Sequence, residues 1–202
     1  MTEVSECPQC GAPAKPSQRN CEFCKAEFFI TSVAYLGSLN PGSINKYLAH
    51  YKKLTKEHPE DAEGHLGLGI TYLQMGMYPL ALKSFETVIQ EAPETAQAYY
   101  YCALAKVQGR RLMTLALKEI RDIEQWVNTA IQLNPDRPEF KVLLAIIKKD
   151  YYAMNGMKIP SPDWNELMLS VNGIETSTGE IDRLKACVVV RDDFFSGQLK
   201  LV

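Results

Sequence analysis

The sequence predicts a mainly α-helical protein, built as a stack of helix pairs with a small cysteine-rich module in front and a capping segment behind. Residues 62–93 contain two apolar stripes at helical spacing, separated by a break at Gly76. Pro59 and Pro93 are 34 residues apart, and each follows an apolar helix. One helix pair cannot bury both of its apolar stripes, so it requires stacked neighbours. The expected divisions are a module at 1–30, a linker at 31–42, helical repeats at 43–157 and a carboxy-terminal capping segment at 158–202.

The composition excludes several classes of protein. Hydrophobic residues make up 46% of the 202 residues and charged residues 23%, as in ordinary globular proteins. The formal net charge of −2 gives no electrostatic footprint for nucleic acid or an anionic membrane surface. The first twenty residues lack the apolar core of a secretory signal, and no apolar run approaches the ~20 residues of a membrane-spanning helix. We therefore expect a cytoplasmic protein without membrane insertion.

Four of the six cysteines form a compact pattern, C-x2-C, ten residues, C-x2-C. In a reducing compartment this spacing indicates metal binding rather than disulfides, and two disulfides would require secretion. Four thiolates satisfy tetrahedral zinc and leave no open coordination position. The sequence therefore predicts one structural Zn²⁺, and its expected ligands are Cys7, Cys10, Cys21 and Cys24.

The segment 5–30, with Cys7-Pro8-Gln9-Cys10-Gly11 and Cys21-Glu22-Phe23-Cys24, resembles the short bacterial zinc ribbon. The resemblance implies that the ion is structural, which suits a segment too short to build its own core. Lys25 departs from the family, where a second glycine often follows the last cysteine. Only three basic residues lie in the module, against four glutamates, so nucleic acid is an unfavoured partner.

The 34-residue period is that of the tetratricopeptide repeat. The chain resembles that family in Gly69-x-x-Tyr72, in Gly76-x-Tyr78, and in Ala81, Phe85 and Pro93. By this resemblance, a helix over 43–57, with Ser43 as a plausible N-cap, is the second helix of a truncated preceding repeat.

The next unit closes at Pro135, 42 residues after Pro93, an excess of eight residues or about two helical turns. One apolar face continues through the excess, which predicts a single long helix from about Arg111 to Leu133. Its first two turns would project beyond their neighbours. The candidate contact residues on this overhang are Leu112, Met113 and Leu115. The alternative is that they pack against the protein itself, since large exposed apolar patches are uncommon.

A third first-helix is expected from Pro138, and a short helix over Asp163–Val171 is expected to cap the stack. Residues 180–195 are compatible with a helix. A terminal hairpin involving 184–190 and 198–202 is the alternative.

The tetratricopeptide resemblance implies a concave groove lined by first helices, which in that family binds peptides or segments of partner proteins. The implied lining residues are Leu66, Ile70, Leu73, Gln74, Tyr100, Leu104, Gln108, Val142 and Ile146. Such a groove suits an amphipathic helix or an extended apolar segment. The alternative is that the protein's own carboxy-terminal segment fills it, and a homo-oligomer could extend the surface.

No catalytic set is apparent in the sequence. The three histidines lie in one stretch without a supporting nucleophile or carboxylate pair, and the glycines at 64–69 lie inside a helix, unlike a phosphate-binding loop. The sequence thus favours a non-enzymatic adaptor or scaffold that binds another protein. The alternative is a nucleic-acid-associated protein that uses the cysteine module for binding and the repeats for assembly.

Overall fold

The computed structural model describes residues 6–15, 18–189 and the backbone of 200–201. The described chain is mainly helical and contains little strand. It divides into two compact units, Met1–Pro93 and Glu94–Val202, and the boundary coincides with the proline that closes the predicted first repeat. Among the described residues, no helix is both long enough and apolar enough to cross a membrane.

In the first unit, four helices follow the cysteine module. They are α1 Val33–Gly37, α2 Pro41–Glu57, α3 Ala62–Gln74 and α4 Tyr78–Glu91. The segment expected to be a linker thus contains α1, and α2 begins before the predicted cap at Ser43. The cap is Asn40, whose side-chain oxygen accepts a hydrogen bond from the Ser43 amide, and Pro41 opens the helix.

Helix α3 packs between α2 and α4, and two of its glycines make this possible. A Cβ built on Gly67 would lie 2.3 Å from the Tyr51 ring of α2. A Cβ on Gly69 would lie 2.5 Å from the Phe85 ring of α4. Both rings are fully buried. Glycine therefore occurs inside this helix, despite its low helix propensity, because two aromatic side chains need the space.

The second unit is also mainly helical. It contains α5 Ala96–Val107, a 3₁₀ turn Leu112–Thr114, α6 Leu117–Leu133, α7 Pro138–Ile146 continuing into a π-helical segment Ile147–Ala153, α8 Trp164–Val171, β1 Glu175–Thr176, α9 Thr178–Cys187 and β2 Lys200–Leu201. Helix α5 packs on α6, and α7 packs on α6 and α8. Helix α9 packs against both α5 and α7, and β1 pairs with β2 in parallel.

The predicted long helix from Arg111 to Leu133 is wrong, and so is the overhang inferred from it. Gln108 and Gly109 both adopt left-handed backbone conformations and end α5. The 3₁₀ turn follows, and α6 begins only at Leu117. Leu112 and Leu115 are buried and Met113 is partly buried, so these residues pack within the protein. The apolar spacing was correct, but it continued through a turn that is not α-helical.

The carboxy-terminal expectations are met in part. Helix α8 lies where the capping helix was predicted, and Asp163 and Glu166 each accept a hydrogen bond from the other's amide at its start. Helix α9 covers the beginning of the predicted 180–195 helix and ends at Cys187. The remainder, from residue 190, lies outside the described residues. The hairpin alternative is wrong where it can be compared, because Leu184 is helical and β2 pairs in parallel with β1.

Candidate metal centre and the faces of the helices

The two cysteine knuckles have the same backbone structure, displaced by fourteen residues in the sequence. The amide of Cys7 donates to the Ala12 carbonyl at 2.8 Å, and the amide of Cys21 donates to the Ala26 carbonyl at 2.9 Å. Each knuckle thus closes its own tight turn, which holds two sulfurs on one side of the loop.

The residue after each second cysteine has a left-handed backbone, with φ 71° at Gly11 and 63° at Lys25. In both turns its amide donates to the carbonyl of the first cysteine, at 2.9 Å and 3.0 Å. The Lys25 ammonium donates to the Glu22 carbonyl at 2.9 Å. Lysine therefore adopts the conformation that glycine adopts more readily, and the sequence departure leaves the knuckle geometry intact.

The four sulfur atoms converge. All lie within 4.8 Å of one another, with Cys7 Sγ–Cys24 Sγ and Cys10 Sγ–Cys21 Sγ both 3.6 Å. Sulfurs at ~2.3 Å from a tetrahedral ion would lie about 3.8 Å apart. A disulfide would bring two sulfurs to ~2.05 Å, and all six cysteines are free thiols. The cluster therefore fits one four-coordinate metal ion.

The thiols differ in how readily they ionise. Burial raises the pKa of Cys7 to about 12. The Cys24 backbone amide, followed by weaker donors, lowers the pKa of Cys21 to about 6. Because metals bind the thiolate, metal binding must displace the proton from the buried Cys7 thiol, whereas Cys21 ionises more readily.

The module has only a small core of its own. The buried residues of this core cluster are Cys7, Cys21, Ala26 and Phe28, with Ala12, Ala14 and Phe29 packed at the edge. Phe23 lies outside this core and is 71% exposed at the second knuckle. Two of the four residues in this core are also candidate metal ligands, so the ion and the packing stabilise the same structure.

Tyrosines connect the module to the helices of its unit. The Tyr47 hydroxyl donates to the Glu27 carbonyl at 2.6 Å. The Tyr51 hydroxyl donates to the Phe28 carbonyl at 3.1 Å and accepts from the Ile30 amide at 2.8 Å. Burial raises the pKa of Tyr47 well above its usual range, so the hydroxyl remains a donor. This role was not predicted from the sequence, although the two tyrosines lie one turn apart on an apolar face.

The groove residues predicted in the first unit lie on α3, and they are not an open surface. Leu66, Ile70 and Leu73 are buried, and Gln74 is half-buried. The short helix α1, which the sequence analysis did not predict, packs against α3. The predicted lining of this unit is therefore part of its core.

The predicted groove residues of the second unit are also buried, with one exception. Tyr100, Leu104, Val142 and Ile146 are at most 1% exposed, whereas Gln108 is exposed at the end of α5. Their helices, α5 and α7, are the two against which α9 packs. The carboxy-terminal segment therefore contacts, through α9, both helices that carry the predicted lining.

The fold and the cysteine cluster together define a class: a mainly helical protein whose described residues include four cysteines close enough together to hold one metal ion. A comparison with models of known protein families finds no match to this chain, and a comparison with curated proteins finds no relative. The tetratricopeptide resemblance therefore rests on the sequence motifs alone, and the zinc-ribbon resemblance rests on its motifs and on the convergence of the four cysteines.

Proposed function

We propose that this protein is a non-enzymatic adaptor that binds another protein, built from tetratricopeptide-like helix pairs and fixed at one end by a structural zinc ribbon. The observation that carries the proposal is the packing of α3 against α2 and α4 through Gly67 and Gly69. Close helix pairing at small residues is what a repeat of this kind requires. Such stacks serve as surfaces for other proteins.

Zinc is the proposed ion because four thiolates at tetrahedral spacing suit it best among common metals, and no open position remains for catalysis. The ion would hold the two knuckles together, and the hydrogen bonds from the tyrosines of α2 would fix the module against the helices. The residues that would hold it are Cys7, Cys10, Cys21 and Cys24.

The metal content of the purified full chain tests this assignment. We expect one equivalent of zinc in the wild type and a large loss in Cys21→Ser. Cys102→Ser is the matched control, because Cys102 is a buried cysteine of α5 outside the cluster, and it should retain the metal. Stoichiometric iron in place of zinc, or full zinc retention in Cys21→Ser, would contradict the proposal.

The adaptor role is favoured over nucleic-acid binding by the surroundings of the module's cations. Lys15 pairs with Glu22 at 2.7 Å, and Arg19 lies 3.8 Å from Glu63. Lys25 donates to a carbonyl within its own knuckle. A phosphate-binding face would present such cations without acidic neighbours.

Two measurements on the full chain separate these roles. Crosslinking in cells that produce the protein, followed by mass spectrometry, should recover one dominant partner protein. Binding to a labelled RNA or DNA duplex should remain weak at 50 mM salt. Tight duplex binding that falls steeply with salt, and is lost when Lys15, Arg19 and Lys25 are replaced, would overturn the adaptor proposal.

A further inference from the structure

Helix α9 has the form of a bound amphipathic helix. Four residues on one of its faces are buried, in the order Glu180, Ile181, Leu184 and Cys187, each at most 3% exposed. Asp182 and Ala186 lie on the opposite, exposed face. The amide of Gly109, which follows α5, donates to the Cys187 carbonyl at 2.9 Å. The spacing of the buried residues is that by which helices anchor in apolar grooves.

The surface beneath α9 is not uniformly apolar. The Tyr101 hydroxyl of α5 donates to the Glu180 carboxylate at 3.2 Å. On α7, Glu139 is also buried and forms an ion pair with Arg137. Fully buried glutamates are rare because the carboxylate loses its hydration. The α5/α7 face therefore accommodates a carboxylate at one defined position of the bound helix, in addition to a stripe of apolar side chains.

The contact also contains an unsatisfied group. The Tyr100 hydroxyl is buried and has no hydrogen-bond partner among the described residues. Burial, together with the nearby Glu180 and Glu139 carboxylates, raises the pKa of Tyr100 well above its usual range, so the hydroxyl keeps its proton. A buried donor without an acceptor weakens the contact. Helix α9 thus fits the α5/α7 face, but it provides no hydrogen-bond acceptor for the Tyr100 hydroxyl.

We propose that the α5/α7 face is the partner-binding surface, and that α9 occupies it as an intramolecular ligand until a partner helix replaces it. The partner segment is an amphipathic helix with a carboxylate followed by apolar residues one, four and seven positions later. It also carries an acceptor that reaches Tyr100. This inference rests on the proposed adaptor function and names the chemistry of its partner.

Tethering makes displacement demanding. A segment joined to its own binding face has an effective concentration in the millimolar range, so a free helix of the same sequence competes poorly. The partner must therefore gain from a contact that α9 lacks. The orphaned Tyr100 hydroxyl supplies such a contact, because satisfying it removes a penalty that the intramolecular complex retains.

A fluorescent peptide of residues 177–189 serves as the probe, under reducing conditions, with the full zinc-loaded chain. We expect weak binding to the wild type and at least tenfold tighter binding to Leu184→Asp, in which α9 cannot remain seated. Ala186→Asp changes the exposed face of the same helix and should behave as the wild type does. A peptide carrying Glu180→Ala should bind the opened chain at least fivefold more weakly than the native peptide.

Equal binding to wild type and Leu184→Asp, with both chains folded by circular dichroism, would overturn the proposal. If Leu184→Asp fails to fold, hydrogen exchange on the wild type replaces it. At a concentration that matches the millimolar effective concentration of the tethered segment, unlabelled peptide should then accelerate exchange of the chain's own α9 amides, and unchanged rates would overturn the proposal. A concentration-dependent dimer of the wild type with exchanged α9 would also overturn it, by making a second copy the occupant. This assay needs no partner protein, so it can succeed even if the cellular crosslinking experiment finds no adaptor partner.

Discussion

At the scale of single residues, the tyrosine hydroxyls of α2 determine how the cysteine module is attached. Tyr51 is fully buried, and its hydroxyl serves both the Phe28 carbonyl and the Ile30 amide. Its ring also fills the space beside Gly67 of α3. One side chain thus contacts the module and the helical core together, and its polar and apolar parts have separate roles.

Replacing Tyr51 by phenylalanine should lower the free energy of unfolding by about 1–3 kcal/mol, because a buried amide and a buried carbonyl lose their partner while the ring packing is kept. Urea denaturation measures the change. Tyr99→Phe is the control, since Tyr99 is only partly buried and should cost less than about 0.5 kcal/mol. Equal costs for the two variants would contradict the assigned role of the Tyr51 hydroxyl.

The residues of the metal site were the most predictable feature of the chain. Two C-x2-C pairs ten residues apart imply convergence, since each pair already fixes two sulfurs on one turn. The tyrosine contacts were less predictable, because a tyrosine at a helical apolar position is equally consistent with ordinary core packing. Only the fold shows that their hydroxyls meet the backbone of the module.

At the scale of secondary-structure elements, the glycines of α3 control the approach of its neighbours. Gly69→Ala would insert a methyl group 2.5 Å from the buried Phe85 ring, so the ring or the helix must move. Such overpacking costs about 1–3 kcal/mol, partly offset by about 1 kcal/mol from the better helix propensity of alanine. We therefore expect a net loss of stability in thermal and urea unfolding.

Gly37→Ala is the matched comparison for that substitution. It lies at the end of α1, where an added Cβ meets nothing within 4 Å, and its stability should be unchanged or slightly higher. If Gly69→Ala proves as stable as Gly37→Ala, the tight α3–α4 approach is not a constraint on the fold.

A buried ion pair connects α6 with the π-helical segment. The Lys148 ammonium lies 2.8 Å from Glu124, and both side chains are largely buried. The Tyr152 hydroxyl also donates to the Glu124 carboxylate. Lys148→Met would leave Glu124 buried without its cation, at a cost of about 3–5 kcal/mol.

The double variant Lys148→Met with Glu124→Leu should recover most of that loss, since both buried charges are then removed. The chemical denaturation midpoints of the wild type, the two single variants and the double variant measure the coupling. Additive losses in the double variant would contradict a direct pair interaction.

The elements that the sequence did not predict share a physical reason. Residues 33–37 form a helix that is too short to show a clear apolar periodicity, so this segment was predicted to be a linker. In residues 111–116 the apolar residues keep a helical spacing although the backbone forms a 3₁₀ turn, and no glycine or proline there signals the break before α6. The long helices were predictable because several turns of apolar residues specify one face.

At the scale of the whole molecule, the apolar character of a helix face could not distinguish a binding groove from a core. The lining predicted at Tyr100, Leu104, Val142 and Ile146 has the correct apolar character, yet α9 covers the helices that carry it. The location of α9 depends on contacts between residues 79 positions apart, such as Tyr101 and Glu180. Periodicity within a short window carries no information about such contacts.

Removal of the metal should disorder the first unit before the second. The cysteine module has little core of its own, so the free energy of ion binding is largely its folding free energy. The module contacts α2 through the hydroxyls of Tyr47 and Tyr51, and α2 contacts α3 at Gly67, so loss of structure in the module should destabilise α2 and then α3. The second unit has a separate compact core, which includes Phe140 and Ile146.

A chelator should therefore accelerate hydrogen exchange strongly in residues 18–57, moderately in α3, and little in α5 and α7. Cys21→Ser should give the same pattern without chelator, and Cys102→Ser should not. Uniform acceleration across both units would contradict a local role for the ion, and unchanged exchange in α2 would contradict the tyrosine connection.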